Sequence, residues 1–324
     1  MIGRRSFPFA NVSLGWFLII AVVPSLNGWA QNTRPAKTQS PITDLAFAPD
    51  AECLVGTSQA GVQVFDWPEL NRQRTFSVSF SNVHCLAFSP DGTRLAVGGG
   101  NPSESGGVDI FSWPDGELDV SLSHHSDSVM SVAWDGNTHL VSASLDRSTV
   151  RWDLKKDQPS VTYRGHSSGV KSVCLLKEGV LVTAGHDHSV RVWDSESGRL
   201  IRTLNQHARP VHAMAVNPYS AGKPMVATAA ADRSIRFWQP TIGRMVRYIR
   251  LESEPLDIAW IDDSRIVASC TDGKIRVVDA NRVKVLETIP VIEGWAYAIA
   301  VRKQDQGMAT AGSQGRPYSV DTGK

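Results

Sequence analysis

Short apolar runs of similar sequence recur along this chain at a nearly constant interval. Examples are LAFAPD from Leu45, LAFSPDG from Leu86 and IAWIDD from Ile258. The seven blocks begin at Leu45, Leu86, Val132, Val173, Met214, Ile258 and Ile299, at intervals of 41, 46, 41, 41, 44 and 41 residues. No stretch beyond the N-terminal region keeps a helical period over three turns. Repeats of this length with strand-like patterning predict an all-β fold built from one repeated unit.

A second run, rich in β-branched and aromatic residues, follows each block in phase. It reads VQVFD up to Asp66, TVRWD up to Asp153 and VRVWD up to Asp194. Related runs end at Ser112, Gln239, Asp279 and Asp321. Turn-forming residues bound these runs, as at Ser195–Gly198. The repeat length accommodates about four short strands with their turns.

The spacing of a glycine–histidine pair and a tryptophan–aspartate pair resembles the signature of the WD40-repeat family. In repeat four these pairs are Gly165–His166 and Trp193–Asp194. His125 and His207 occupy the histidine position in the neighbouring repeats. The resemblance covers residues 42–324. It implies a seven-bladed β-propeller in which each blade is a four-stranded antiparallel sheet.

Two features of the repeats concern loops and ring closure. The glycine-rich stretch Gly98–Gly107 lengthens repeat two and is expected to be a mobile turn, either an adaptable lip of a binding face or slack. Ser220–Pro224 lengthens the opposite turn of repeat five. The last repeat stops before a fourth strand, and in the WD40 family the N-terminus supplies that strand. The candidate is Thr33–Gln39, within the segment 31–41.

In the WD40 family a relay of side chains satisfies the indole N–H of a buried tryptophan. The indole donates to a Ser or Thr hydroxyl, which bonds a histidine, which bonds an aspartate. Carried onto this sequence, repeat three supplies His125, Ser142, Asp146 and Trp152, repeat four supplies His166, Thr183, Asp187 and Trp193, and repeat five supplies His207, Thr228, Asp232 and Trp238. A neutral imidazole donates at one nitrogen and accepts at the other, which suits the middle of such a chain. We therefore expect these residues to be structural, because a hydrolytic Ser/Thr–His–Asp triad needs a hydroxyl that substrate can reach.

The family geometry also predicts a face at which a partner binds. The residues expected there are His84, Met130, Lys171, His186, His212 and Tyr297. A rigid ring that carries variable loops suits a non-enzymatic platform for a protein or peptide partner. A metal site built from His84, His186 and His212 is the alternative, but its ligands would come from different blades. We expect no metal and no other cofactor.

The alternative function is a propeller hydrolase or lyase with its site in the central channel. Such a site needs carboxylates or histidines that converge from several blades. At equivalent first-strand positions the sequence has Asp44 and Asp257. The other five positions hold Cys85, Ser131, Ser172, Ala213 and Ala298. Two carboxylates in seven positions favour the non-enzymatic interpretation.

The N-terminus has the layout of a secretory signal over residues 1–30. Arg4 and Arg5 precede the apolar run Leu14–Val23, and Ala30 supplies a small residue at the cleavage point. This layout predicts cleavage before Gln31 and a secreted, periplasmic or cell-envelope protein. A membrane span needs about 20 apolar residues, more than this run contains, so a cleaved signal is favoured over the alternative of an uncleaved membrane anchor, and no span is expected after cleavage.

Charge and cysteine content narrow the remaining classes. With 33 Lys and Arg against 32 Asp and Glu, the formal net charge is +1. This charge does not indicate nucleic-acid binding, which would need clustered positive charge. We expect a monomer or a member of a hetero-complex. Four widely spaced cysteines without a CxxC pair, Cys53, Cys85, Cys174 and Cys270, do not indicate a zinc site. They suit small buried apolar positions, and one disulfide stays open.

Overall fold

Twenty-seven β-strands form seven antiparallel sheets in the part of the chain that the structure, a computed structural model, describes: residues 39–177 and 179–321. Sheet one contains β1 (Ile42–Phe47), β2 (Cys53–Ser58), β3 (Gly61–Asp66) and β4 (Arg72–Phe76). Sheet two contains β5 (Asn82–Phe88), β6 (Arg94–Asn101), β7 (Ser105–Ser112) and β8 (Leu118–His125). Sheet three contains β9 (Val129–Asp135), β10 (His139–Ser144), β11 (Ser148–Asp153) and β12 (Gln158–Arg164). Sheet four contains β13 (Val170–Leu176), β14 (Val180–Gly185), β15 (Val190–Asp194) and β16 (Leu200–Leu204).

The remaining sheets follow the same plan. Sheet five contains β17 (Val211–Val216), β18 (Val226–Ala230), β19 (Ser234–Gln239) and β20 (Arg244–Arg250). A single 3₁₀ turn, Pro240–Ile242, joins β19 to β20. Sheet six contains β21 (Pro255–Trp260), β22 (Arg265–Cys270), β23 (Lys274–Asp279) and β24 (Lys284–Pro290). Sheet seven contains β25 (Ala296–Val301), β26 (Met308–Gly312) and β27 (Pro317–Val320).

The seven sheets close into a ring through their first strands. Each first strand contacts the first strand of the next sheet, and β25 contacts β1. Apolar side chains fill the wedges between neighbouring sheets. At the junction of the first and last sheets, Ile42, Leu54 and Phe65 share a buried cluster with Ala298 and Ala309. The prediction of a seven-bladed all-β propeller is therefore confirmed, and each sheet is one blade.

Every first strand carries a β-bulge near its start. The pairing register skips one residue in each blade. The skipped residues are Thr43, His84, Met130, Lys171, His212, Leu256 and Tyr297. A bulge re-aims the side chain that it carries. We call the end of the ring at which the first strands begin the top face, and the other end the bottom face.

The glycine-rich stretch of repeat two differs from expectation, because it extends a hairpin and is not a mobile turn. Gly99 pairs with Gly107 and Gly100 with Gly106, so β6 and β7 run on to Asn101 and Ser105. The four glycines are buried. A Cβ on Gly106 would lie 1.9 Å from the carbonyl oxygen of Asp127. These residues are glycine because neighbouring backbone leaves no room for a side chain.

The ends of the described chain meet at blade seven. This blade has three strands within the described residues. Gln39 and Ser40 lie against Gly315, in the turn between β26 and β27. The predicted closing segment Thr33–Gln39 falls, apart from Gln39, outside the described residues, as does the predicted signal segment, so both stay predictions.

Two further observations concern the described residues. All four cysteines are unpaired, and three of them, Cys85, Cys174 and Cys270, are buried. None of the helices within residues 39–177 and 179–321 has the length and apolar character needed to cross a membrane.

We predict that Gly106→Ala lowers the free energy of unfolding by about 1–3 kcal/mol, the usual cost of overpacking a well-packed site. Gly222→Ala is the matched control, because nothing lies within 4 Å of its added Cβ. Urea unfolding of both variants measures the effect. Equal stability of the two variants would contradict the close backbone packing of the hairpin.

Candidate functional site

A cavity of about 490 Å³ opens at the top face on the ring axis. All seven bulge residues line it, so the bulges turn one side chain from each blade toward the axis. Five residues of the predicted partner-binding face, His84, Met130, Lys171, His212 and Tyr297, lie here. Sequence reasoning missed Thr43 and Leu256, which occupy the equivalent bulges. We call this cavity the channel mouth.

His186, the sixth predicted face residue, does not line the cavity but lies near it. Its backbone N–H donates to the Gly169 carbonyl at 2.8 Å, which fixes the turn. Burial, Lys171 and His212 all lower the pKa of His186. Three predicted face residues therefore lie within electrostatic reach of one another.

Lys171 is a desolvated cation in the channel mouth. Burial lowers its pKa, and no hydrogen bond or ion pair engages its ammonium within the described residues. Burial, together with the charge of Lys171, also lowers the pKa of His84 to about 4. His84 is therefore neutral near pH 7, and Lys171 is the basic side chain that a guest would meet on this wall.

Two other contacts shape the rim of the channel mouth. His212 Nε2 lies 2.5 Å from Glu254 Oε1, which holds the imidazole against blade six. Trp295 is 51% exposed and packs edge-on against Tyr297, with ring centroids 5.9 Å apart. At the rim, His212 is thus fixed by its contact with Glu254, and Trp295 with Tyr297 offers an accessible aromatic surface. Aromatic side chains are enriched at binding sites.

Below the bulge residues, polar side chains hydrogen-bond neighbouring blades together. Asp44 accepts the backbone N–H of Leu86 in the next blade at 2.8 Å. Asp257 accepts that of Ile299 at 3.0 Å. The hydroxyls of Ser131 and Ser172 accept the equivalent N–H groups at 3.2 and 3.1 Å. We call these contacts the inter-blade clasps.

The two aspartates considered for the enzyme alternative, Asp44 and Asp257, are thus hydrogen-bonded to backbone groups of the ring. The second carboxylate oxygen of each accepts the N–H of its own next residue, Leu45 or Ile258, at 2.8 Å. Burial and the charge of Asp257 raise the pKa of Asp44 to about 8, and burial raises that of Asp257 to about 6. No group of three or more His, Cys, Asp or Glu within the described residues is arranged to hold a metal ion. These contacts give the carboxylates a cohesive role and do not favour a channel enzyme.

The relay residues lie together in blades three, four and five. In blade four, Trp193 Nε1 donates to Thr183 Oγ1 at 2.8 Å, and His166 Nε2 lies 2.7 Å from the same oxygen. His166 Nδ1 lies 2.9 Å from Asp187 Oδ2. The Asp187 side chain is 5% exposed. The hydroxyl is therefore occupied on both sides within the blade, where substrate has no access.

Blades three and five have the same geometry. His125 contacts Ser142 Oγ and Asp146 Oδ2, each at 2.8 Å, and Trp152 Nε1 donates to Ser142 at 2.8 Å. In blade five the corresponding His207, Thr228, Asp232 and Trp238 are joined by contacts of 2.7, 3.0 and 2.9 Å. Each histidine precedes the first strand of its blade, with His125 at the end of β8 and the other two in inter-blade loops, so each relay joins the chain that enters the blade to a buried strand.

The relay aspartates are held ionised. Burial alone would raise the pKa of Asp187, but hydrogen bonds from His166 and Ser189 outweigh it and hold the pKa well below its usual range. Burial lowers the pKa of His207 to about 4, although Asp232 opposes this shift. A neutral imidazole that donates to the aspartate and accepts from the hydroxyl satisfies every member of the chain.

Other blades use different buried polar contacts. In blade six, Arg276 is 1% exposed and forms a two-pronged ion pair with Asp272 at 2.9 and 2.7 Å. In blade one, buried Gln63 donates to Ser58 Oγ at 2.7 Å. The family signature gave no sign of these pairs.

We predict that Thr183→Val, which removes a hydroxyl and keeps the side-chain shape, lowers the free energy of unfolding by about 2–6 kcal/mol. It leaves the Trp193 indole and the His166 Nε2 buried without a partner, at about 1–3 kcal/mol for each unsatisfied group. Thr75→Val, at an exposed position of β4, is the matched control. Chemical denaturation measures both, and a loss for Thr183→Val no larger than the control's would show that the relay does not stabilise the blade.

The raised pKa of Asp44 makes stability depend on pH. In the unfolded chain this carboxyl ionises near 4, whereas in the fold it keeps its proton up to about pH 8. The folded state therefore binds more protons in between, and its contribution to stability falls as pH rises, by up to about 1.4 kcal/mol per pH unit. From about pH 6.5 to 8 we expect Asp44→Asn to remove this slope.

Unfolding free energies at several pH values measure this effect. Asp115→Asn, at an exposed turn, is the control and should retain the wild-type slope. Parallel curves for wild type and Asp44→Asn would show that Asp44 does not hold a proton in the folded state.

Comparison with known proteins places this geometry in a family. The family profile described as "WD domain, G-beta repeat" matches residues 70–106, 116–153, 157–194, 198–239 and 252–279, more than half of the chain. Nuclear distribution protein nudF of Aspergillus niger is 29% identical over 206 residues, which cover 60% of this chain and 45% of that protein. Guanine nucleotide-binding protein subunit beta of Zea mays is 28% identical over 199 residues, covering 55% and 50%. Protein transport protein SEC31 of Chaetomium globosum is 26% identical over 177 residues, covering 51% and 14%.

The chain spans no more than half the length of these curated relatives. The matched segments nonetheless fall on the described blades and contain all three relays. The chain belongs to the WD40-repeat family.

Proposed function

We propose that this protein is a non-enzymatic scaffold that binds a protein or peptide partner at the top face, around the channel mouth. The single observation that carries this proposal is the division of polar residues in the ring. The relay and clasp residues inside the blades are engaged by neighbouring groups, whereas the bulge residues line an open cavity. A surface lined by one side chain from every blade suits recognition, since binding residues are commonly placed on variable positions of a rigid frame.

The chemistry of the channel mouth fits a polypeptide partner. Lys171 offers an unengaged cation, Met130 and Leu256 offer apolar surface, and Trp295 with Tyr297 offers aromatic surface. Mixed aromatic, apolar and charged positions of this kind are typical of protein-binding hot spots. The relatives have names that refer to nuclear distribution, protein transport and a guanine nucleotide-binding protein subunit, which supports a role in assembly.

We predict that Lys171→Ala/His186→Ala/His212→Ala abolishes capture of the partner from the native source without unfolding the ring. The control has comparable composition on the bottom face: His139→Ala/Lys155→Ala/Lys303→Ala. Affinity capture followed by mass spectrometry, together with thermal unfolding of each variant, measures the outcome. Partners that remain bound to the first variant and are lost from the second would assign recognition to the bottom face.

We further propose that the protein acts outside the cytoplasm, as a monomer or within a hetero-complex. The sequence of residues 1–30 supports the location, through Arg4, Arg5 and the apolar run Leu14–Val23. In the native host we expect the exported protein to begin at Gln31, as measured by the mass of its N-terminal peptide. A cytoplasmic protein that retains residues 1–30 would refute the location and leave the scaffold proposal untouched.

A further inference from the structure

Arginines are concentrated at one groove on the top face, although the chain as a whole carries a formal charge of only +1. The groove lies on blade five and encloses about 710 Å³. Its wall includes Arg209, Arg233, Arg236 and Arg250. They come from the loop before β17, the turn between β18 and β19, strand β19 itself and the end of β20. Four separate parts of the blade thus direct positive charge into one space.

One of these arginines is already engaged. Arg236 Nη2 lies 3.4 Å from Asp232 Oδ2, and its Nε donates to Ser234 at 3.2 Å. Its guanidinium also lies over the ring of Tyr248, 5.4 Å from the centroid. Arg236 therefore supports the relay aspartate and holds Tyr248 in place at the groove.

The other three arginines are exposed and have no carboxylate partner. Among the ion pairs of residues 39–177 and 179–321, none includes Arg209, Arg233 or Arg250. The backbone that presents Arg233 is fixed, and its Nη1 lies 3.5 Å from the Glu252 carbonyl oxygen. The N–H of Arg233 donates to Ala230 O at 3.0 Å, and its carbonyl accepts the N–H of Leu251 at 2.7 Å. Three guanidiniums without an ion-pair partner, one of them on a turn and one at the end of a strand that backbone hydrogen bonds hold in place, form a site that needs little reorganisation to bind an anion.

The acidic residues of the groove do not neutralise these arginines. Asp232 is occupied by His207, Ser234 and Arg236. Glu254, at the inner end, holds His212 Nε2 at 2.5 Å. Because His212 lines the channel mouth, the Glu254–His212 pair joins the groove to the cavity that contains Lys171. The arginines of the groove and Lys171 in the cavity thus lie on either side of this pair.

The exposed ring of Tyr248 indicates what kind of anion fits. Tyr248 is 54% exposed and lines the groove together with the arginines, so a bound chain has an apolar surface to pack against as well as cations. Guanidiniums form two-pronged hydrogen bonds with carboxylates. A ligand that contacts both the groove and Lys171 has to be extended and to carry several negative charges.

We propose that the groove formed by Arg209, Arg233, Tyr248 and Arg250 binds an acidic, carboxylate-rich segment of the protein partner, which continues inward over His212 to Lys171. This inference rests on the proposed scaffold function and specifies the chemistry of the partner. It assigns recognition of charge to blade five and to Lys171.

Fluorescence anisotropy with a labelled peptide of alternating glutamate and glycine tests the proposal. We expect this peptide to bind, its glutamine counterpart not to bind, and added salt to weaken binding, as screening requires. Arg209→Gln/Arg233→Gln/Arg250→Gln should weaken binding by about tenfold or more, and Lys171→Gln by about threefold, as expected for lost charge-assisted contacts.

The matched control removes the same charge from the bottom face through Arg72→Gln/Arg282→Gln/Lys303→Gln, all exposed positions. It should change the affinity by less than about twofold if the attraction is local. Equal weakening by both triple variants, or equal binding of the glutamine peptide, would overturn the proposal. A labelled phosphoserine peptide or single-stranded DNA that binds while the glutamate peptide does not would also overturn it. If the variants of the channel mouth still capture the native partner while the glutamate peptide binds as expected, the proposed function is wrong and the assignment of the groove stands.

Discussion

Closure of the ring depends on hydrogen bonds that pass from one blade to the next around the axis. The seven first strands crowd together there, and the buried backbone N–H after each clasp position needs an acceptor. Asp44 and Asp257 each accept two such groups, one from their own blade and one from the next. Ser131 and Ser172 accept one each from the following blade. Because a ring has no free edge at its centre, losing one clasp strains its neighbours as well.

In this arrangement, the residue that joins two blades and the residue available for binding are adjacent in sequence. The clasp residue faces the adjacent blade, and the bulge residue just before it faces the cavity. The bulge positions differ widely, from Thr43 to Lys171 to Tyr297, and of these Thr43 also donates to the Val83 carbonyl of the next blade at 2.8 Å. The relays act similarly further out, where His166 and its counterparts tie the connections between blades to buried strands. Because the clasps near the axis and the relays further out stabilise the ring, most side chains of the top face can vary without loss of the fold.

Much of the fold could be predicted from sequence because its signals are repeated. Seven in-phase blocks indicated seven blades, and the His–Ser/Thr–Asp–Trp spacing placed Asp187 and Trp193 in one chain of contacts. The prediction of a mobile turn for the glycine stretch of repeat two was wrong, because glycine occurs at close backbone contacts as well as in turns. The sequence does not show that the Asp127 carbonyl lies against Gly106, which is the contact that requires glycine there. Asp44 suggested chemistry because one of its two N–H partners, Leu86, lies 42 residues away in sequence. Arg233 and Arg250 could not be grouped before the turn and the outer strand were placed in space.

Hydrogen–deuterium exchange of the inner strands tests closure of the ring most directly. A closed ring requires the amides of β1 and β25, which meet where the chain ends meet, to exchange as slowly as those of β9, β13 and β17. The clasped amides of Leu86 and Ile299 should be among the slowest, because opening them requires separating two blades. Rapid exchange confined to β1 and β25, with the other inner strands protected, would show that the ring is open at this junction and would contradict the account.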